Sequence, residues 1–292
     1  MLSKSTAPVS MKSLTGPPKR LLVPVTAFLA LFYLIPLALI TLMSAGHPPS
    51  FSLGLELLNL AHYTKFLSSP YYLKVLLDTV LLGLIVALIT AILAYPVAYF
   101  LVRSRSRYRG FIYFVTLIPM AVGMNMITLG WLIVLGRNGF VNTLLDSLGF
   151  IDQPLGLLYT WPAMVVGLVN VIFTFMVLPI AAVLKNVDPS LERAARNLGA
   201  GPVRTFLMVT LPLSAEGVAA GFLAVFMQTS GALVMPLLLG GTSNTVLSVS
   251  IWEQYAVAND RYFAAVLSLI LLAAALSVLW LQLKISKSRE VL

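Results

Sequence analysis

From Leu21 to Met43 the chain runs for 23 residues without one charged side chain. A helix of that length, rising 1.5 Å per residue, spans the ~30 Å hydrocarbon core of a bilayer. A secretory signal has a similar basic start, but its apolar region is usually only about 7–15 residues, so an uncleaved span is expected. Five further apolar runs follow at about 75–102, 111–135, 157–184, 213–239 and 262–283. Only 10% of residues are charged, against roughly a quarter in soluble domains. The reading is an all-α integral membrane protein of six transmembrane helices in one unit, 21–285. A polar basic tail at 1–20, disordered or surface-bound, precedes it, and a short tail at 286–292 follows. Pro96 is expected to kink the second span and Asn170 and Pro179 to interrupt the fourth. Segments 136–156 and 242–261 read as external.

Fifteen of the 19 lysines and arginines gather in four places. These are the first tail, the loop Arg103, Arg105, Arg107, Arg109, the segment 185–212, and the residues from Lys284 onward. Six spans with both termini cytoplasmic put every cluster on one side, as basic loops require. In a soluble protein the net charge of +9 would suggest nucleic acid, but between spans it is a positive anchor, and no nucleic-acid partner is expected.

With no cysteine, disulfides, thiolate metal sites and thiol catalysis are excluded. His47 and His62 read as solvated loop residues, and no metal site is expected. There is no GxxxxGK[ST] loop, no HExxH, no nucleophile elbow and no carboxylate cluster, so the chain is not expected to be an enzyme or to bind a cofactor.

The segment Asp188 to Pro212 is the long stretch of the C-terminal two thirds too polar for a membrane. Asp188 suits a helix N-cap, Pro189 the first helical position and Gly199 the left-handed residue past the helix end. Between them Leu191, Ala194, Ala195 and Leu198 form a stripe at i, i+3, i+4 and i+7, opposite Glu192, Arg193, Arg196 and Asn197. So short a helix is marginal alone and needs something to dock into, or a bilayer surface to lie on.

The residues Ala194, Ala195, Leu198, Gly199, Ala200, Phe206, Leu211 and Pro212 resemble the E-A-A loop of permease subunits of binding-protein-dependent ABC importers. The resemblance implies the type I importer permease fold and a place in the bacterial inner membrane. It also implies a loop, 185–212, that docks through Leu191 to Ala200 into an ATPase. The implied partners are two ATP-binding subunits that bind the ATP, a second permease subunit making a heterodimer, an external solute-binding protein, and membrane lipid. One position departs: Arg193 stands where the family has its glutamate, with Glu192 one place earlier. Glu192 either pairs with Arg196 at i+4 or contacts the ATPase, and its removal is expected to matter less than Gly199→Val or Ala195→Trp.

Ile151 to Pro154, Gly167 to Asn170, Phe175 to Pro179 and Phe222 to Gly241, with Ile251 and Gln254, resemble the first permease subunit of spermidine/putrescine importers, although Thr174 and Glu216 replace proline. A polyamine or related cationic amine is the implied solute. An amino-acid derivative, iron, thiamine or phosphonate remain alternatives within the class, and a secondary transporter or membrane enzyme outside it. Asp78, Asn170, Gln228 and Ser230 are the polar residues inside apolar runs and the candidate pathway residues. Asp78 alternatively starts the second helix near the headgroups.

The charge distribution generates a direct test of topology. Single cysteines at Ser106 and Ser288 should react only with membrane-permeant reagents, and one at Ser147 with impermeant reagents from outside. External labelling at Ser106 would overturn the orientation.

Overall fold

The computed structural model describes residues 19–46, 61–242 and 244–287. The expectations for the tail before Lys19, for His47, and for Ser288 and Arg289 fall outside the described residues.

All regular structure among the described residues is helical. Helix α1 covers Lys19–Ser44, α2 Ala61–Ser68, α3 Pro70–Arg103, α4 Arg109–Val122, α5 Met124–Leu135, α6 Phe140–Ser147 and α7 Trp161–Asn186. The polar segment holds α8 Pro189–Asn197, α9 Pro202–Thr205 and, after a π-helical turn Phe206–Thr210, α10 Leu211–Leu213. Then come α11 Ala215–Ser230, a π turn Pro236–Gly240, α12 Leu247–Trp252, a π turn Glu253–Val257 and α13 Arg261–Lys287. Among the described residues four helices, α1, α3, α7 and α13, are long and apolar enough to cross a membrane. Two bent pairs raise the number to as many as six, Arg109–Val122 with Met124–Ser147 at 101° and Pro202–Leu213 with Ala215–Ser230 at 69°.

The run 111–135 is therefore not one straight helix. It breaks at Gly123, whose φ of +78° and ψ of 140° lie where a side chain would be strained. Pro96 and Pro179, by contrast, sit inside helices that continue past them, and Asn170 does not interrupt α7. The segment expected to be external after Gly241 is also not loose: Thr245 to Ser250 are buried. Thr79 of α3 explains why α12 can sit there. Its hydroxyl accepts the Leu247 backbone N–H at 2.8 Å, a group that the first turn of a helix leaves without an internal partner. In segment 136–156, the buried Asn142 donates to the carbonyls of Gly136 and Leu155 and accepts the Leu155 N–H, closing the excursion on itself.

The core is the triple contact of α3, α7 and α11. Phe226, Met164, Leu168, Ile172, Met176, Ile180 and Leu184 are fully buried there. Helices in lipid gain little from excluding water and associate through close packing, so small residues mark the seams. A Cβ on Gly217 would lie 2.8 Å from the Pro179 carbonyl oxygen and 3.0 Å from the Ile180 Cα; one on Gly221 would lie 2.6 Å from the Met176 sulfur. Gly83 gives the same closeness to α3 and α11, where its missing Cβ would meet the Phe226 ring at 2.7 Å. A smaller cluster of Phe66, Val75, Leu247, Phe263, Val266 and Leu267 joins α2, α3, α12 and α13. His62 lies at its edge, half-buried beside the rings of Tyr262 and Phe263 rather than loose in solvent.

Gly217→Ala should lower stability by about 1–3 kcal/mol, because the new methyl meets rigid backbone. Gly130→Ala, with nothing within 4 Å of the added carbon, should be neutral or slightly stabilising by up to about 1 kcal/mol. Thermal unfolding in detergent distinguishes them, and equal midpoints would contradict the packing.

Candidate functional site

Helix α8 is sharply bounded at both ends. The Asp188 carboxylate accepts the Ser190 backbone N–H at 2.8 Å, and that bond lowers its pKa from the ordinary carboxylate value. Gly199 has a φ of +87°. Its N–H donates to the Arg196 carbonyl, and the Ala200 N–H donates to the Ala195 carbonyl, both at 3.0 Å. That is the paired bonding of a glycine-terminated helix, which satisfies carbonyls the last turn leaves open. Gly201 and Pro202 then start α9.

The surface of α8 inverts the usual pattern. Leu191 is 46% and Leu198 89% exposed, and Ala194 is exposed with them. Ala195 is half-buried, and Arg193, Arg196, Asn197 and Gly199 lie open. The one buried residue of α8 is the charged Glu192, 7% exposed. Its carboxylate accepts the Tyr99 hydroxyl at 2.8 Å and meets the Arg103 guanidinium from Nε and Nη2, both at 3.2 Å. Arg103 also donates to the Val187 carbonyl at 2.9 Å. Of the two readings of Glu192 from the sequence, the bridge to Arg196 is not formed: its carboxylate is taken up by Tyr99 and Arg103. α8 lies with this side turned to α3, so the longer reach to Arg103 and Tyr99 replaces the i+4 pair.

Tyr99 and Arg103 belong to a row. Tyr95, Tyr99 and Arg103 are spaced i, i+4, i+8, hence on one face of α3. The Tyr95 hydroxyl lies 2.6 Å from that of Ser214, at the 69° bend between α10 and α11, and its ring packs edge-on against Phe206 at 5.0 Å. One helix face thus holds the start of the polar segment at Val187, its middle at Glu192 and its exit at Ser214. None of these α3 residues was picked out from the sequence, where Arg103 passed for a membrane anchor. The four-residue spacing of two tyrosines and an arginine was the available signal.

The four polar residues inside apolar runs are not brought together in one place. Asn170 is exposed, with its amide oxygen 3.5 Å from the Trp131 indole nitrogen, and Gln228 is exposed on α11. Ser230 is buried, donates to the Phe226 carbonyl and sits against Gly83. Asp78 is partly exposed on α3. Because α3 begins at Pro70, Asp78 lies about 12 Å beyond the helix start, and the alternative in which it opens the helix is excluded. Thr174 uses its hydroxyl to hold the Thr116 carbonyl of α4, and Glu216 occupies the first turn of α11, where an acid is favourable.

Residues 80–290 match the family described as binding-protein-dependent transport system inner membrane component. The spermidine/putrescine transport system permease protein PotB of Escherichia coli strain K12 is 31% identical over 263 residues, 89% of this chain and 95% of that one. The inner membrane ABC transporter permease protein YdcU of the same strain is 30% identical over 214 residues, 69% of this chain and 68% of that one. Among solved structures, a chain of a bacterial ABC transporter that imports the acidic polysaccharide alginate superposes with a TM-score of 0.75, at 16% identity, covering 92% of this chain and 94% of that one.

Glu192→Ala would leave the Arg103 guanidinium with the Val187 carbonyl but without its carboxylate, a loss of about 1.5–3 kcal/mol. Amide hydrogen exchange within α8 should then accelerate tenfold or more, while Glu192→Gln and Tyr99→Phe fall between. Unchanged exchange in Glu192→Ala would show that the ion pair does not hold the helix.

Proposed function

This chain belongs to the family of binding-protein-dependent transport inner membrane components, a permease subunit of an ABC importer, and on that premise we propose that it forms half of a translocation pathway for a polyamine or related cationic amine. The chain is a multi-pass inner-membrane protein with the type I permease fold. In the proposed arrangement six spans run with both termini cytoplasmic, the bent pairs each counting as one. Segment 185–212 then faces the cytoplasm, an external binding protein delivers solute from the other side, and a second, related permease completes the pathway. Two ATP-binding subunits supply the energy, and this chain itself binds no cofactor. A secondary transporter is set aside by the family match.

The observation that carries the reading is the exposed stripe of Leu191, Ala194 and Leu198 on a helix whose ends are fixed. A nine-residue helix that buries its acid and displays its leucines is incomplete without a partner. Residues Leu191 to Ala200 supply that contact, with Ala195 the close-approach position and Gly199 the fixed end.

The cationic substrate is supported by the relationship to the spermidine/putrescine permease. Asp78, Asn170 and Gln228 offer an acid and amide acceptors for an extended polycation, weak enough one by one to release it. A sealed anionic cage would not.

Two measurements test this. Ala195→Trp and Gly199→Val should leave insertion intact but abolish co-purification with the ATP-binding subunit. Asp78→Asn should reduce uptake of labelled spermidine several-fold while assembly and resting ATP hydrolysis stay near normal. Normal uptake by Asp78→Asn would remove Asp78 from the pathway, and uptake of a neutral sugar or an anion instead would overturn the polyamine assignment.

A further inference from the structure

Helix α2 and the first turns of α3 and α13 meet around the ring of Phe263, which is fully buried. Tyr72 stands edge-on to that ring at 4.9 Å. Over one face of it lies the ammonium of Lys65, 4.1 Å from the centroid. The same nitrogen is 3.5 Å from Oδ2 of Asp260. That carboxylate is held from behind: its Oδ1 accepts the Phe263 backbone N–H at 3.0 Å, and the Asp260 backbone N–H donates to the Gln254 carbonyl at 2.8 Å. One oxygen therefore caps α13 and the other is left to the cation over the ring. Arg261, next in the chain, does not compete for it, since its guanidinium lies over the Tyr255 ring at 6.0 Å. Among the described residues Lys65 is the one ion-pair partner of Asp260.

An aromatic face and a carboxylate converging on one point make a receptor for a primary alkylammonium, drawn by the ring quadrupole and accepted by the oxygen. Lys65 is such an ammonium, on a flexible stem. Its hold is loose. A separation of 3.5 Å exceeds the roughly 2.7–2.9 Å of a strong charge-assisted bond, and the Lys65 side chain is 51% exposed. Ion pairs this open to water contribute little and are readily exchanged.

We propose that Asp260 and Phe263 form an entry site for one terminal ammonium of the transported amine, and that Lys65 is a tethered occupant which the arriving amine displaces. The inference rests on the polyamine reading above and on the six-span topology, which puts the start of α13 outside. It adds a site ahead of Asp78, because Tyr72 beside Phe263 precedes Asp78 by about 9 Å of helix. A built-in competitor lowers the apparent affinity of the site by the fraction of time it stays closed, so the amine is held without being trapped. Were Lys65 only a strut between α2 and α13, its loss would loosen the site and weaken amine binding instead.

The test uses the whole importer in lipid nanodiscs, with labelled spermidine as the probe and the binding protein left out. Uptake with the binding protein is followed in parallel in vesicles. Lys65→Met should tighten spermidine binding about two- to sixfold, the range set by how long an exposed pair stays closed. Lys65→Gln should give the same gain. Asp260→Asn, which keeps an oxygen to cap α13, should cancel the gain when combined with Lys65→Met. Lys74→Met, which removes a like charge from an exposed position on α3, should change nothing. Equal binding by Lys65→Met and wild type, weaker binding by both Lys65 variants, or an equal gain in Lys74→Met would overturn the inference while normal uptake leaves the polyamine reading standing. If Lys65→Met instead weakens association of the binding protein and leaves spermidine binding unchanged, Lys65 is a docking contact and the inference falls. If the wild type takes up no spermidine, the polyamine reading fails and the entry site with it.

Discussion

Everything in this chain depends on how closely α7 and α11 approach each other. Neither helix gains much from hiding carbon from lipid, so their association rests on dispersion and fit. Fit is obtained by leaving side chains out: at Gly217 and Gly221 the backbone of α7 occupies the space a methyl would take. Met176 and Met235 fill the remaining irregular gaps at Gly221 and Gly167, a task suited to an unbranched, polarisable side chain. With that seam fixed, α3 has a defined groove to lie in, closed by Gly83 against Phe226. The peripheral helices are arranged around this trio, and α1, whose described side chains are almost all exposed, packs chiefly against α13.

The polar segment is joined to that trio by different means. Within α8 the apolar residues contribute little to the attachment, since its leucines are exposed, whereas Phe206 and Leu211 further along do pack against the trio. α8 is attached instead by directional bonds from tyrosine and arginine at the last turns of α3, where Glu192 is buried but the rest of α8 is largely open. There a hydrogen-bonded ion pair is less costly to desolvate than in a core and is less screened than on an open surface. The result leaves the helix placed and its apolar side uncommitted.

Much of this was legible in the residues. The six apolar runs, the capped helix between Asp188 and Gly199, and the small-residue face of Gly217 and Gly221 all follow from local rules that act within a turn or two. The bend at Gly123 was not legible, because a glycine in an apolar run is compatible with both a straight and a broken helix, and only packing decides. The burial of α12 escaped because its N-terminal N–H is satisfied by Thr79, 168 positions away in sequence. Glu192 was misplaced for the same kind of reason: helical periodicity pairs it with Arg196, whereas its partners come from α3. Local pattern fixes caps and faces; it does not say which face of a helix the rest of the chain will use.

Helix α3 is one unbroken element of 34 residues, about 51 Å from end to end. At one end Tyr99 and Arg103 grip α8, and towards the other Thr79 holds the first turn of α12. About 30 Å of continuous helix, the 20 residue steps from Thr79 to Tyr99, separates the two attachments. α3 is therefore a connecting rod: a tilt of the rod that shifts α8 also shifts α12, and Pro96 is the point along it where bending would absorb part of the motion.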